Sequence, residues 1–440
     1  MRQEHRRQLA LVLILLIALS GCDTSWHSSR SSLSDNGRFM DLWKEIELAQ
    51  KRIRKAIRRT PLVYSDTFSR MTGKEVYLKL ENLQKAGSFK IRGAYNKLSL
   101  LSPALKKKGV VAASAGNHAQ GVAFASSLLG IHATIVMPEG ASMAKQMATR
   151  AYGGEIILFG QTTDEALAYA RKVSEKGQTF VHPFDDEQIV AGQGTIGLEI
   201  LQDLPEVDGI VVPVGGGGLI SGITSIVRKK KPHVSICGVQ ADQATSAFLS
   251  WKKKRIVGAK VLPTLADGIA LERVGQVPFP IIRDQVDQMV TVGEDEIASA
   301  ILTLMERKRV IAEGAGAAPL AALLSGRGRI PGHKIVLVIS GGNIDVHLLD
   351  RIIEKGLAQT GRLIRLEIPL RDIPGALATL ADLVGRQNAN ILHIVHERTA
   401  KDIPIGYSRV ILALETRGLD HTRKIRSALK EKGYEFRVLS

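Results

Sequence analysis

Cysteine is nearly absent: Cys22 and Cys237 are the two in 440 residues. That excludes a disulfide scaffold and a cysteine-rich metal centre. Cys237 stands in the apolar run Val234–Val239 and reads as a buried, inert thiol. Aromatic residues make up only 5%. They are not interleaved with basic residues along one face, which argues against a nucleic-acid partner. Acidic residues are outnumbered, 43 against 60 Lys and Arg, for a net charge of +17. The basic runs Lys106-Lys107-Lys108, Lys229-Lys230-Lys231 and Lys252–Arg255 are short and read as solvated surface. At least two lie near expected helix ends, where cations complement the helix dipole. A field of this sign also draws in small anions. Long hydrophobic runs are missing too; the apolar stretch Leu9–Leu19 is too short for a comfortable membrane span.

What is present is core-forming material. Hydrophobic residues make up 45%, with 42 glycines, the balance of an α/β protein with many tight strand-to-helix turns. The N-terminus stands apart from the rest. Arg2, Arg6 and Arg7 precede the apolar run, and Leu19-Ser20-Gly21-Cys22 follows it. That layout resembles a bacterial lipoprotein signal with Cys22 as the lipidated residue. Residues 23–38 are polar and Ser-rich and read as a disordered linker. The rival reading starts the protein at Met40, just before an amphipathic helix opening at Asp41, and places it in the cytoplasm. Residues 1–39 are then outside the working protein.

From about Val76 strands and helices alternate. Val76–Leu80, Val110–Ser114, Ala133–Met137 and Glu155–Phe159 read as strands; Ile91–Leu101, Ala119–Leu129, Met143–Tyr152 and Thr163–Ser174 read as helices. This alternation predicts a twisted, mainly parallel sheet. A second α/β stretch runs from about Gln188 to Gly342, with strands Ile210–Val214 and Lys334–Ile339 and a helix Leu219–Lys230. After a connecting helix, residues 346–361, the order over 362–440 is β–α–β–β–α–β, a ferredoxin-like module. Asp372 is expected to cap its first helix, with Pro374 at the start.

Three motifs carry chemistry. Lys90 follows a glycine turn in Lys85-Ala86-Gly87-Ser88-Phe89-Lys90, which suits an amine presented at a turn, with Phe89 beside it. The bland alternative is one surface lysine among many. Ser114-Ala115-Gly116-Asn117-His118 ends a strand and opens a helix, where successive backbone N–H groups cradle an anion. Asn117 is placed to meet a ring hydroxyl; His118 reads equally as a structural histidine. Gly215-Gly216-Gly217-Gly218 lies between a buried strand and a helix, so four amides converge on one phosphate. A dinucleotide fold would want an acid at the end of the next strand, and Gln240 stands there. An amine, an anion turn and a phosphate loop are the set that a pyridoxal-phosphate enzyme needs. Ser340, after the last strand, is placed at the pyridine nitrogen. A hydroxyl there leaves the ring a weaker electron sink and favours loss of a β-substituent over transamination. Glu313 reads either as a ring-side carboxylate or as a helix N-terminal acid.

Together these residues resemble the fold-type-II pyridoxal-phosphate enzymes, and within them the threonine ammonia-lyases, also called threonine dehydratases. The resemblance spans roughly residues 40–345. It implies a tryptophan-synthase-β-like fold of two open twisted sheets, with a smaller mobile subdomain at about 85–185. It implies Lys90 as the Schiff-base lysine and as the base that takes the α-proton. Ser114 to His118 would hold the substrate carboxylate, Gly215 to Gly218 the phosphate, and Ser340 the ring nitrogen. Arg92 belongs to the same signature, without a role derived from sequence. Residues 362–440, with Arg371–Leu377, resemble an ACT domain, which implies feedback control by an amino acid such as isoleucine or valine. Dimers or tetramers are usual for such chains. The expected reaction is deamination of L-threonine to 2-oxobutanoate and ammonia, and of L-serine to pyruvate. The alternative is a serine racemase/dehydratase or another fold-type-II enzyme. Serine racemases resemble this chain but carry a serine at the position of Ala115 and a glutamate metal ligand where Gln240 stands. Racemisation is therefore disfavoured and no metal is assigned.

Overall fold

Among the described residues, short β-branched runs alternating with helices produce two mainly parallel sheets and one antiparallel sheet. The computed structural model describes residues 34–327 and 330–439. The larger parallel sheet has the strand order Leu62–Tyr64, Glu75–Leu80, Lys334–Ile339, Gly209–Pro213, Ser235–Ala241, Gln288–Val292. Only the edge strand Leu62–Tyr64 runs antiparallel to its neighbour. The two central strands are buried on both faces, which explains their continuous apolar sequence. The smaller sheet has the order Glu155–Leu158, Ala133–Met137, Val110–Ala113, Thr179–Phe180, all parallel.

This topology decides where the turns lie. Gly209–Pro213 and Lys334–Ile339 are paired in parallel, so the glycine loop and Ser340 leave neighbouring strands at the same carboxyl edge. Ser114 leaves the carboxyl end of Val110–Ala113 in the smaller sheet. Ligands of open parallel sheets bind at such carboxyl edges.

Three helices fix these edges to one another. Lys90–Ser99 packs on Glu187–Asp203, which packs on Gly218–Lys230. Their crossings are made by glycines. A Cβ added at Gly192 would stand 2.5 Å from Gly93 Cα, and one at Gly222 would stand 2.6 Å from Gly194 N. Backbones in direct contact leave the helices little freedom to slide.

A buried ion cluster locks the first two of these helices to the larger sheet. Arg92, fully buried, donates from Nε and Nη2 to the two carboxylate oxygens of Glu81, both at 2.8 Å. It also donates to Glu199, 2.8 Å from Nη1 and 2.9 Å from Nη2. Lys79 Nζ donates to Glu199 Oε2 at 2.6 Å and to the Thr60 carbonyl at 2.7 Å. Two cations thus face two carboxylates, with no net charge left over. This supplies the role for Arg92 that its sequence position does not.

The antiparallel sheet has the order Asn390–Glu397, Tyr407–Glu415, Leu363–Arg371, Arg437–Val438, the strand order of a ferredoxin-like βαββαβ unit. Its helices Ala376–Arg386 and Leu419–Glu431 bury Leu380, Val384, Ile425 and Leu429 against it. Asp372 does not cap the first of these helices. The cap position is Gly375, at φ +84°, and the Asp372 carboxylate instead accepts from Arg398 Nε at 2.9 Å. A cation just past the strand Asn390–Glu397 takes this carboxylate in place of the backbone amides.

The first described helix runs Ser34–Ile53, so it opens before Met40 rather than after it, and residues 34–38 are helical rather than linker. Extending an existing helix adds one hydrogen bond per residue and needs no new nucleus. The lipoprotein-like segment and Cys22 lie outside the described residues. Among the described residues no helix is long and apolar enough to cross a membrane.

Replacing Arg92 by Met strands Glu81 and shares Glu199 with Lys79 alone. Urea unfolding followed by far-UV circular dichroism should show a loss of about 3–5 kcal/mol, the usual cost of breaking a buried ion pair on one side.

Candidate active site

Lys90 begins its helix, and the turn before it is strapped to the loop after Lys334–Ile339. Phe89 N donates to the Ser340 carbonyl at 3.1 Å and Gly342 N to the Gly87 carbonyl at 3.0 Å. Asn343 Nδ2 donates to the Ala86 carbonyl at 2.9 Å. Gly87 has φ +70°, and a Cβ there would strike the Asn343 amide. The glycine before the lysine is therefore needed both for its backbone angle and for space.

The strapped turn faces a cavity of about 270 Å³ lined by Phe89, Lys90, Ser114, Ala115, Gly116, Asn117 and His118. Gly215, Gly216, Gly218, Glu313 and Ser340 line it as well. The structure thus gathers the residues expected from sequence with one exception: Gly217 turns away, at φ +95°, towards Ile282 and Pro278. Gly217 instead caps the helix Gly218–Lys230, whose first amides have no intrahelical acceptor and open on the loop. A Cβ at Gly216 would collide with the Phe184 ring.

Lys90 Nζ donates to the Pro183 carbonyl at 3.0 Å. Burial pulls its amine down to about 8, although Glu313 works in the opposite direction. Asn117 and His118 belong to the helix Asn117–Leu129 rather than to the turn, and Gly116 is its cap. Asn117 is held from both sides: its Nδ2 donates to Glu313 Oε1 at 2.7 Å, and its Oδ1 accepts from Asn343 Nδ2 at 2.8 Å. Glu313 combines the two readings that its sequence allowed. It occupies the cap position of the helix Gly314–Leu324, yet its side chain makes no capping bond and turns to Asn117 and the cavity. Burial, then the nearby Asp267, pushes its carboxyl up to about 7. His118 Nε2 donates to the Val181 carbonyl at 2.9 Å, and burial holds the ring down at about 3. It is a neutral, hydrogen-bonded histidine at the cavity wall.

Sequence reasoning missed several lining residues. Lys145, Asp267, Pro183, Phe184, Gln193 and Asn343 all face the cavity. Asn343 was the most accessible, as the end of the Ser-Gly-Gly-Asn turn. Lys145 had no signal among 60 basic residues.

Comparison with known proteins agrees with this architecture. The family described as pyridoxal-phosphate dependent enzyme matches residues 53–341. The chain belongs to that family. It is 50% identical over 397 residues to an L-threonine ammonia-lyase of Thermotoga maritima, covering 90% of this chain and 99% of that relative. Among solved structures it is similar to the processed form of threonine deaminase isoform 2 from Solanum lycopersicum, with a TM-score of 0.69 and 38% identity over 72% of this chain and 88% of that one. Maize serine racemase gives a TM-score of 0.68 and 36% identity over 72% and 98% of the two chains. The fold is therefore that of the fold-type-II enzymes, and the cofactor is pyridoxal 5′-phosphate.

The residues present fit that group. Lys90 offers a half-buried amine inside the cavity. Gly215, Gly216 and Gly218 expose backbone to it, at a helix N-terminus that suits a phosphate. No side chain could be added at Gly216 without displacing Phe184.

The raised Glu313 carboxyl has a consequence for stability. It keeps its proton in the fold at pH values where the unfolded chain has lost it. Its stabilising contribution is complete below about 4.5 and is lost as pH rises through about 7. In Glu313→Gln this loss should vanish. Unfolding free energies of the coenzyme-free chain from urea titrations at pH 5 and pH 8 should converge relative to wild type, by at most about 3 kcal/mol.

Proposed function

We propose that this chain deaminates L-threonine to 2-oxobutanoate and ammonia, and L-serine to pyruvate and ammonia, by β-elimination. The observation that carries this reading is the relation to the Thermotoga maritima L-threonine ammonia-lyase. At 50% identity it runs over 90% of this chain, and so into the C-terminal sheet as well as over the cavity. Ala115 favours elimination over racemisation. It lines the cavity with a methyl group, and a methyl group cannot return a proton to the opposite face of the substrate.

Bound pyridoxal phosphate supplies an aldehyde that captures amines and a ring that draws electrons from the carbon next to the captured nitrogen. In this reading Lys90 attaches the coenzyme and, when freed, takes the α-proton. An amine lowered to about 8 is deprotonated often enough near neutral pH to serve as a base. The amides at the start of the helix Asn117–Leu129 hold the substrate carboxylate, with Ser114 beside them. Gly215, Gly216 and Gly218 hold the phosphate, and Gly217 shapes the turn. Asn117, fixed by Glu313 and Asn343, would hold the ring on its hydroxyl side, and Ser340 would serve the ring nitrogen. The C-terminal sheet, residues 362–440, binds an amino-acid effector such as isoleucine or valine, and the chain assembles as a dimer or tetramer.

Release of 2-oxo acid from threonine and from serine, followed with and without isoleucine or valine, tests the activity and its control. Threonine should be turned over, with rates changed by at least one effector. Lys90→Ala should lose at least about a thousandfold in kcat. Borohydride reduction of the wild type, followed by peptide mapping, should fix the coenzyme on Lys90. A tag on any other lysine removes the assignment.

A further inference from the structure

The cavity wall carries four ionisable groups that matter for its charge: Lys90, Glu313, Lys145 and Asp267. The first two are absorbed by the chemistry above. The other two form a pair. Lys145, on the helix Met143–Ala151 beside the smaller sheet, donates from Nζ to Asp267 Oδ2 at 2.7 Å. Asp267 lies in the short turn Asp267–Ile269, packed on the helix Gly314–Leu324 of the larger sheet. The contact spans 122 positions of sequence and closes the cavity from both sides.

Resting on the function proposed above, we propose that Asp267 is a specificity-determining residue. By masking Lys145 it keeps the cavity for amino acids whose side chains are uncharged. A substrate with a second carboxylate needs a cation inside the cavity. Lys90 is committed, so Lys145 is the group that could serve, and Asp267 occupies it. The pair is partly exposed, and Lys145 can swing away at modest cost. The swing does not help an acidic substrate, because Asp267 stays at the wall with its charge. Asp267 already acts on the cavity at a distance: after burial, it is the strongest influence lifting the Glu313 carboxyl. The same repulsion meets any anionic side chain.

The discriminating substrate is L-threo-3-hydroxyaspartate, which carries a carboxylate where threonine carries its methyl. Its β-hydroxyl leaves as water, one water is regained on hydrolysis, and oxaloacetate and ammonia result. The wild-type holoenzyme should process it far less well than threonine. In Asp267→Asn the amide is nearly isosteric and Lys145 is unmasked. The ratio of kcat/KM for hydroxyaspartate over threonine should rise at least about tenfold, equivalent to 1.4 kcal/mol of discrimination. Adding Lys145→Met to Asp267→Asn should remove the gain.

Calorimetric titration of the same holoenzymes with L-aspartate, which has no β-leaving group, gives a reading independent of turnover. Its Kd should tighten at least about fivefold in Asp267→Asn and relax again in the double variant. A ratio and a Kd that stay within about twofold of wild type overturn the proposal, as does a gain that survives loss of Lys145. Failure of the wild type to turn over threonine would instead strike at the function itself, so the two failures are distinguishable.

Discussion

The buried Arg92 cluster is the constraint on which the site's geometry depends. Arg92 is two residues from Lys90 on the same helix and reaches Glu81, just beyond the strand Glu75–Leu80, and Glu199, on the helix Glu187–Asp203. Burial works against the Glu199 charge, yet Arg92 and Lys79 together still hold its carboxyl below the ordinary carboxylate range. Glu199 and Arg92 therefore keep their charges in the interior, while burial pulls the Lys79 amine below its ordinary range. Such a cluster adds little net stability compared with apolar packing, but it punishes misplacement of any one member. Combined with the Gly93–Gly192 contact, it fixes the register of the helix that presents the lysine.

Within the cavity the same low-dielectric surroundings act in opposite directions on different groups. Burial lowers Lys90 to about 8 and His118 to about 3, and it raises Glu313 to about 7. Every shift reduces charge. The Lys145–Asp267 pair stands at the more exposed rim of this wall, where Lys145 can swing away and the Asp267 carboxylate stays behind.

The parts legible in the sequence are those whose chemistry is local. A glycine loop after an apolar strand, a lysine after a glycine turn and a polar strand-to-helix turn each declare themselves within about ten residues. Parallel strand alternation then implies that their carboxyl ends converge. What was not legible depends on partners far away in sequence. The role of Arg92 needed Glu199, 107 positions on, and Lys145 needed Asp267, 122 positions on. Gly217 failed for a subtler reason. Four consecutive glycines cannot all face one ligand when the turn itself requires one of them at positive φ. Asp372 matched a capping pattern, and a distant arginine claimed it.

The attachment of the C-terminal sheet limits how it could influence the cavity. Its connecting helix Val346–Gln359 buries Ile352 and packs Leu348 and Leu349 against the core of the larger sheet, with the exposed pair Lys355–Asp295 beside them and Arg365–Glu354 joining it to the C-terminal sheet. Exposed pairs contribute about 0–1 kcal/mol each, so the three apolar side chains carry most of the helix's attachment. The helix beneath it, Glu294–Lys308, is tied more firmly. Glu294 accepts from Thr264 Oγ1 at 2.5 Å and from Leu265 N at 2.6 Å. Leu265 in turn presses on Gly314, next to Glu313, and Asp267 follows two residues later at the cavity wall. Residues 264–267 thus link the helix beneath the connecting helix to two carboxylates at the cavity wall, Asp267 and Glu313. An effector that biased this segment by 1–3 kcal/mol, the usual scale of coupling between sites, would act on substrate entry without touching Lys90.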